Sequence, residues 1–248
     1  MTAASSPVPS PQPFSQALPQ SPPPKTPKTP RPVFDTVYAF PPNRDTQGAT
    51  AYFIVDNTAE GQPANLLIDA PLWDEGTREW LLAQGGVRWL LITHRGGLGR
   101  SATIQKALGC EVVIQEQEAY LLPDTPTTTF HHNFRFSPQI EAFWTPGHSP
   151  GSSCLHYSAY GGVLFTGRHL LPSRAGEPEP LRLAKTFHWP RQLQQIEALK
   201  TRFTAETLAH ICPGASTGLL RGDRTIDRAY EKLQKLDIET FYNHQPLL

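Results

Sequence analysis

Hydrophobic and polar positions along the chain form short apolar runs that alternate with amphipathic stretches. Eight runs have the length of strands and are bounded by Gly, Pro, Asn or Asp. They are Ala51–Val55, Asn65–Asp69, Val87–Thr93, Glu111–Gln115, Ile140–Trp144, Ser153–Tyr157, Val163–Thr166 and Thr207–Cys212. Four stretches have helical periodicity, namely Thr77–Ala83, Ser101–Leu108, Arg191–Phe203 and Asp223–Leu236. This order predicts a layered α/β protein with a mixed sheet, or a pair of sheets, covered by helices. The pattern alone leaves an α/β sheet of another topology open.

The first 32 residues differ in composition from the rest of the chain. Ser5–Pro32 is dense in proline, contains no Asp or Glu, and ends in the basic stretch Lys25–Arg31. Such a segment cannot bury enough apolar surface to offset the entropy lost on ordering. The sequence therefore predicts a disordered tail over residues 1–32 and one domain over residues 33–248. A solvated extension, a docking segment for a protein partner, a Thr-Pro phosphorylation site and an organelle transit peptide all remain open for the tail.

Charge and cysteine content narrow the class of protein. Lys plus Arg and Asp plus Glu both total 22, so no net charge indicates nucleic-acid binding. The three cysteines, Cys110, Cys154 and Cys212, form no closely spaced pair, which favours reduced thiols. No apolar stretch approaches the ~20 residues that a membrane-spanning helix needs. We expect a cytoplasmic protein with no nucleic-acid or membrane partner; an organelle is the alternative if the tail is a transit peptide.

Four short segments after apolar runs carry the candidate chemistry. They read Thr93-His94-Arg95-Gly96-Gly97-Leu98-Gly99, Thr145-Pro146-Gly147-His148-Ser149-Pro150-Gly151-Ser152, Leu164-Phe165-Thr166-Gly167-Arg168 and Pro213-Gly214-Ala215. In order and spacing they resemble the T-H-x-H-x-D-H, T-P-G-H-T-P-G-S, L-F-T-G-D and P-G-H motifs of the metallo-β-lactamase superfamily, within it the glyoxalase II-like branch. The resemblance covers roughly residues 33–236. It implies an αββα sandwich of two mixed sheets flanked by helices.

The same resemblance implies a metal site that has lost most of its ligands. Among the seven ligand positions of the family motifs, only His94 and His148 keep a ligand side chain. The other positions hold Gly96, Leu98, Gly99, Arg168 and Ala215. A catalytic zinc normally has three protein ligands and one open position for water. We therefore expect no bound metal, no cofactor and no catalytic residue. The expected function is that of a non-catalytic pseudoenzyme that binds an anionic small molecule or a protein partner.

Arginine at a position that the family gives to aspartate changes what the cleft can attract. Arg168 follows a strand and Gly167, and Arg100 and three histidines lie in or beside the same motifs. Guanidinium groups bind carboxylate or phosphate, which predicts a site for an anionic small molecule. The predicted ligand-binding residues are His94, Arg100, His148, Arg168 and His169. Two plainer interpretations stay open: the arginines face solvent or pair with carboxylates such as Asp69, and the histidines pack the turns.

An enzyme is the alternative to a pseudoenzyme. One form is a glyoxalase II-like hydrolase with a rearranged or mononuclear zinc site built on His94 and His148, with His169 as a further candidate ligand. Another is a metal-independent hydrolase in which Cys212 and His148 form a nucleophile pair, although no residue is evident to orient them. The metal content of the purified protein separates the first form from a pseudoenzyme.

Overall fold

The chain is described by a computed structural model over residues 29–247. Most of the expected tail, residues 1–28, lies outside the described residues. The first strand, β1 (Arg31–Phe34), begins two residues before the expected start of the domain at residue 33. Pro32 fits there because β1 is at the edge of its sheet, where a residue without an N–H group is tolerated.

The first sheet contains seven strands in the order in which they occur along the chain. After β1 these are β2 (Val37–Ala39), β3 (Tyr52–Ile54), β4 (Leu66–Ile68), β5 (Trp89–Ile92), β6 (Glu111–Gln115) and β7 (Thr127–Phe130). Strands β1 to β4 pair antiparallel, whereas β4 to β7 pair parallel. The helices α1 (Glu75–Ala83) and α2 (Ser101–Leu108) lie in the β4–β5 and β5–β6 crossovers, and a short 3-10 helix (Glu116–Leu121) lies in the β6–β7 crossover.

The second sheet has six strands in the order β15-β14-β11-β10-β9-β8. They are β8 (Asn133–Ser137), β9 (Ile140–Trp144), β10 (Ser153–Tyr157), β11 (Val163–Phe165), β14 (His210–Cys212) and β15 (Ile226–Asp227). Between β11 and β14 the chain forms a short pair, β12 (Leu171–Pro172) and β13 (Pro178–Glu179), followed by α3 (Trp189–Arg202). The last helix is α4 (Ala229–Lys235).

The helix predicted over Asp223–Leu236 is wrong in its first half. Residues 226–227 form strand β15, and Arg228 has a left-handed backbone with φ of 52°, which an α-helix cannot include. The helix therefore begins at Ala229. The eight predicted strands are all present, with ends shifted by no more than three residues. Strands β7 and β8 were not predicted, because Thr127–Phe130 and Asn133–Ser137 lack a continuous apolar run.

Three groups of buried side chains define four layers. One group lies between the two sheets and includes Ile68, Leu91, Leu155 and Phe165. A second group packs Leu67, Leu90 and Val112 of the first sheet against Leu81 of α1 and Ile104 of α2. A third packs Leu164 and Ile211 of the second sheet against Leu193 and Ile196 of α3 and Leu233 of α4. The predicted αββα sandwich of two mixed sheets is confirmed. Among residues 29–247, no helix is long and apolar enough to cross a membrane.

Candidate functional site

The candidate site lies where several strands of both sheets end. Asp69 follows β4, Thr93 and His94 follow β5, and Arg168 comes shortly after β11. The Thr145–Ser152 turn joins β9 to β10, and the Ser153 N–H donates to the Thr93 carbonyl at 2.8 Å, which links the two sheets at this edge. The topology thus brings the four sequence motifs together, as the carboxyl ends of parallel strands meet at one edge of a sheet.

A buried hydrogen-bond chain joins Asp69, Thr93 and His94. The Thr93 N–H donates to Asp69 Oδ1 at 2.8 Å, and the Thr93 hydroxyl lies 2.7 Å from Asp69 Oδ2 and 2.9 Å from His94 Nδ1. Burial raises the pKa of Asp69 to about 6, while the bonds from Thr93 and the Arg168 charge act in the opposite direction. The carboxyl group is therefore ionised at neutral pH and accepts from both Thr93 donors.

These hydrogen bonds determine which nitrogen of the His94 ring carries the proton. A hydroxyl has one hydrogen, and Thr93 gives it to Asp69, so Thr93 Oγ1 accepts from a proton on His94 Nδ1. Nε2 then carries the lone pair; it is buried and has no hydrogen-bond partner among residues 29–247. Burial, together with the His148, Arg168 and Arg95 charges, lowers the pKa of His94 well below its usual value. His94 is a neutral ring held from one side.

The glycines after His94 leave no space for side chains. A Cβ at Gly96 would lie 2.9 Å from His94 Nε2, and one at Gly99 would lie 2.8 Å from the Ala70 Cβ. A Cβ at Gly97 would overlap the Asp69 carboxylate. Two of the positions where the family motif has histidine, Gly96 and Gly99, are therefore packed against neighbouring atoms. The close packing at these two positions leaves no room for the histidine ligands of the family motif.

Arg168 lines a cleft of about 180 Å³ at the edge of the sheets. Its Nη2 donates to the carbonyls of Thr46 at 3.2 Å and Gln47 at 2.7 Å, whereas its Nε is buried without a partner among the described residues. The cleft is lined by Gln47, Gly48, His148, Arg168, Leu171, Leu181, Leu183, Ala215 and Ser216. Part of the guanidinium thus holds the Thr46–Gln47 loop, and the remainder belongs to the cleft.

His148 is the second histidine of the cleft region. Its ring lies edge-on to His94 with centroids 5.3 Å apart, and its Nδ1 is buried with no partner inside the described range. Burial, followed by the Arg168 and Arg95 charges, lowers the pKa of His148 to about 4. The ring is therefore neutral at pH 7, and it can form hydrogen bonds with a ligand but carries no charge.

Three of the predicted ligand-binding residues do not line the cleft, namely the buried His94 and His169, and Arg100. His169 is 1% exposed, does not line the cleft, and has neither ring nitrogen partnered among residues 29–247. Burial and the nearby His148 lower its pKa to about 3. Arg100 is exposed, lies 3.9 Å from the Asp45 carboxylate and donates to the Trp73 carbonyl at 3.4 Å. The structure thus places His94, His148 and Arg168 together, His169 behind them, and Arg100 outside.

Glu118 is a buried carboxyl group that the sequence did not reveal. It is 1% exposed, and a Cβ at Gly151 would lie 2.8 Å from Glu118 Cγ, so it packs against the turn that carries His148. Burial raises the pKa of Glu118, with Ser149 and Gly151 acting in the opposite direction. No signal in the sequence separates Glu118 from the exposed Glu116 beside it, because its burial comes from a contact with the other sheet.

The residues present do not fit a catalytic zinc. No group of three or more His, Cys, Asp or Glu in the described part of the chain is arranged to hold a metal ion. Asp69 is engaged by Thr93, and the positive potential of Arg168 that disfavours protonated His94 and His148 also disfavours a dication there. Cys212 is fully buried between the sheets, and burial raises the pKa of its thiol, so it does not form a thiolate nucleophile beside His148.

Solved structures with the same architecture include two metallo-β-lactamases and a protein in a di-iron-bound form. The DIM-1 metallo-β-lactamase exposed to ceftazidime is 14% identical with a TM-score of 0.60, and the match covers 83% of this chain and 96% of that one. The BLEG-1 B3 metallo-β-lactamase is 19% identical with a TM-score of 0.54, over 73% and 91% of the two chains. TTHA1623 in a di-iron-bound form is 21% identical with a TM-score of 0.54, over 71% and 94%.

Identities this low establish the fold alone. The chain has the metallo-β-lactamase fold, which confirms the resemblance drawn from the sequence motifs. No protein-family model and no curated protein sequence matches the chain.

Proposed function

We propose that this protein is a non-catalytic metallo-β-lactamase-fold protein that binds a small anion in the Arg168 cleft. The observation that carries the proposal is the buried, unpartnered Nε of Arg168 in a cleft that His148 also lines. A buried N–H donor without an acceptor is unfavourable, and an anionic oxygen satisfies both the donor and the charge.

The cleft supplies more than one donor to an anion. The Arg168 guanidinium keeps its charge: burial lowers its pKa from the very basic value of an arginine side chain, and the nearby Asp69 carboxylate acts in the opposite direction. Neutral His148 adds a ring nitrogen, and Ser216 adds a hydroxyl to the lining of the cleft. Arg100 has no part in the proposal, because it pairs with Asp45 outside the cleft.

Thermal unfolding with added anions tests the proposal. Phosphate, sulfate or acetate should raise the melting temperature in a saturable way, because a ligand that binds only the folded state stabilises it. Chloride at the same ionic strength controls for screening. Arg168→Gln should remove the response and keep much of the side-chain volume, whereas Arg100→Gln, with the same loss of charge outside the cleft, should respond like the parent.

Four outcomes would contradict the proposal. No shift beyond chloride, or an unchanged shift in Arg168→Gln, would show that the cleft does not bind these anions. An equal loss in Arg100→Gln would show that net charge, and not the cleft, controls the response. Stoichiometric zinc that survives dialysis against a weak chelator and disappears in His94→Ala, His148→Ala would replace the proposal with a mononuclear glyoxalase II-like hydrolase.

A further inference from the structure

The two walls of the Arg168 cleft differ in chemistry. Arg168, His148, Gln47 and Ser216 provide polar groups, whereas the remaining wall is formed largely by leucine. The leucines are Leu171, Leu181 and Leu183. They do not belong to the four motifs or to either large sheet, since Leu171 lies in the short β12–β13 pair and the other two lie in the segment before α3.

This apolar wall is held in place by the surrounding chain. Leu171 is 6% exposed and pairs with Glu179 across β12–β13. The Leu183 N–H donates to the Thr186 hydroxyl at 2.8 Å, and Leu183 forms a bridge with Leu247 near the end of the chain. Leu181 and Leu183 are half-buried. A ligand with an apolar part would cover surface that water now contacts.

A bare inorganic anion suits the polar side chains of the cleft but not its leucines. Phosphate or sulfate carries charged oxygen on all sides, so oxygens turned toward the leucines would lose water without gaining donors. A volume of about 180 Å³ is also below the ~300–1,000 Å³ of typical drug-sized ligand sites, which favours a small ligand. The matching ligand has one anionic group and a compact apolar body.

We infer that the cleft selects short branched-chain monocarboxylates, with the carboxylate at Arg168 and the alkyl group against Leu171, Leu181 and Leu183. This inference rests on the proposed anion site and assigns its ligand class. The positive charge of the Arg168 guanidinium attracts a carboxylate, and each buried methyl group adds favourable transfer free energy.

Calorimetric titration with three probes tests the inference on the full chain. We expect 3-methylbutanoate to bind with a Kd about tenfold lower than acetate, because its alkyl group buries against the leucines. The isosteric amide, 3-methylbutanamide, should show no measurable binding, since it lacks the charge. Leu181→Asn should reduce the ratio of the two Kd values toward one, and measurable acetate binding by this variant would show that the cleft is still formed. Leu82→Asn, at a leucine 46% exposed on α1, is the matched control and should keep the tenfold preference.

The outcomes separate this inference from the proposed function. Equal Kd values for acetate and 3-methylbutanoate, both lost in Arg168→Gln, would overturn the ligand class and leave the anion site. Binding of the amide as tight as that of the acid would overturn the role of the carboxylate. Failure of every anion, including phosphate and sulfate, would overturn both.

Discussion

The loop after β5 and the turn between β9 and β10 each carry one histidine of the family pattern, but they hold it differently. His94 is 1% exposed, bonded through Nδ1 to Thr93 and pressed against Gly96. His148 is 9% exposed, has an unpartnered Nδ1 and lines the cleft. The first histidine has become part of the scaffold, whereas the second still faces a space that a ligand can enter. A retained motif residue therefore does not by itself indicate a retained role.

The unpartnered histidine rings near the turn between β9 and β10 should lower the stability of the folded protein in acid. The pKa of His169 is about 3 in the folded protein and near 6.5 when unfolded, so the unfolded state binds a proton first as pH falls. Replacing His169 with Phe should therefore remove about 3 kcal/mol of the destabilisation that accumulates between pH 6.5 and pH 4. Urea unfolding of parent and His169→Phe across this range measures the difference.

Asp69 acts with the opposite sign over part of the same range. Its pKa is raised to about 6, so the folded state takes a proton before the unfolded state and gains stability as pH falls from about 6 toward 4. This contribution is common to both proteins and cancels in the comparison. Parallel pH profiles of parent and His169→Phe would contradict the assignment of His169 as a neutral buried ring.

The close packing of the loop after β5 predicts a smaller loss of stability for Gly97→Ala. The added methyl group would overlap the Asp69 carboxylate, so the loop or the hydrogen-bond chain must shift. We expect a loss of about 2 kcal/mol in the free energy of unfolding. Gly218→Ala is the matched control, because its Cβ would meet nothing within 4 Å. Equal stabilities of the two variants in denaturant titrations would mean that the loop after β5 is not closely packed.

The smallest expected effect comes from Asp69→Asn. The amide oxygen can still accept from the Thr93 N–H group, but the amide nitrogen cannot accept from the Thr93 hydroxyl. The variant should lose about 1 kcal/mol of stability and release the restraint on His94. NMR of the imidazole nitrogens measures the second effect: a mixture of His94 tautomers is expected in the variant and Nδ1–H alone in the parent. A single unchanged tautomer would show that Thr93 does not orient the ring.

The main strands could be predicted because most are buried on both faces and read as continuous apolar runs, as in Leu90–Ile92. The four-layer arrangement came from the motif resemblance, since the periodicity alone left other α/β topologies open. Strands such as β7 and β8 escaped prediction because neither is a continuous apolar run: β7 is three threonines and a phenylalanine, and β8 alternates polar residues with phenylalanine. Short polar strands are specified by their neighbours rather than by their own sequence.

The candidate site was predictable only as far as the motifs extend. The motifs place His94, His148 and Arg168 at one edge of the sheets, and the structure has them there. Arg100 belongs to the same loop in sequence, but the start of α2 directs it to Asp45. The burial of Glu118 and the leucine wall depend on contacts between distant segments, which local sequence does not encode.

The close contact between Gly167 and Gly214 has a consequence for the engineering of this protein. The Gly214 N–H donates to the Gly167 carbonyl at 2.7 Å, and a Cβ on Gly214 would lie 2.7 Å from the Gly167 backbone. Main chain touching main chain therefore sets the spacing between Arg168 and Ala215, the residues that follow these glycines. This backbone contact does not depend on the side chain at position 215. Substitutions of Ala215 should therefore change which molecules enter the cleft without displacing Arg168.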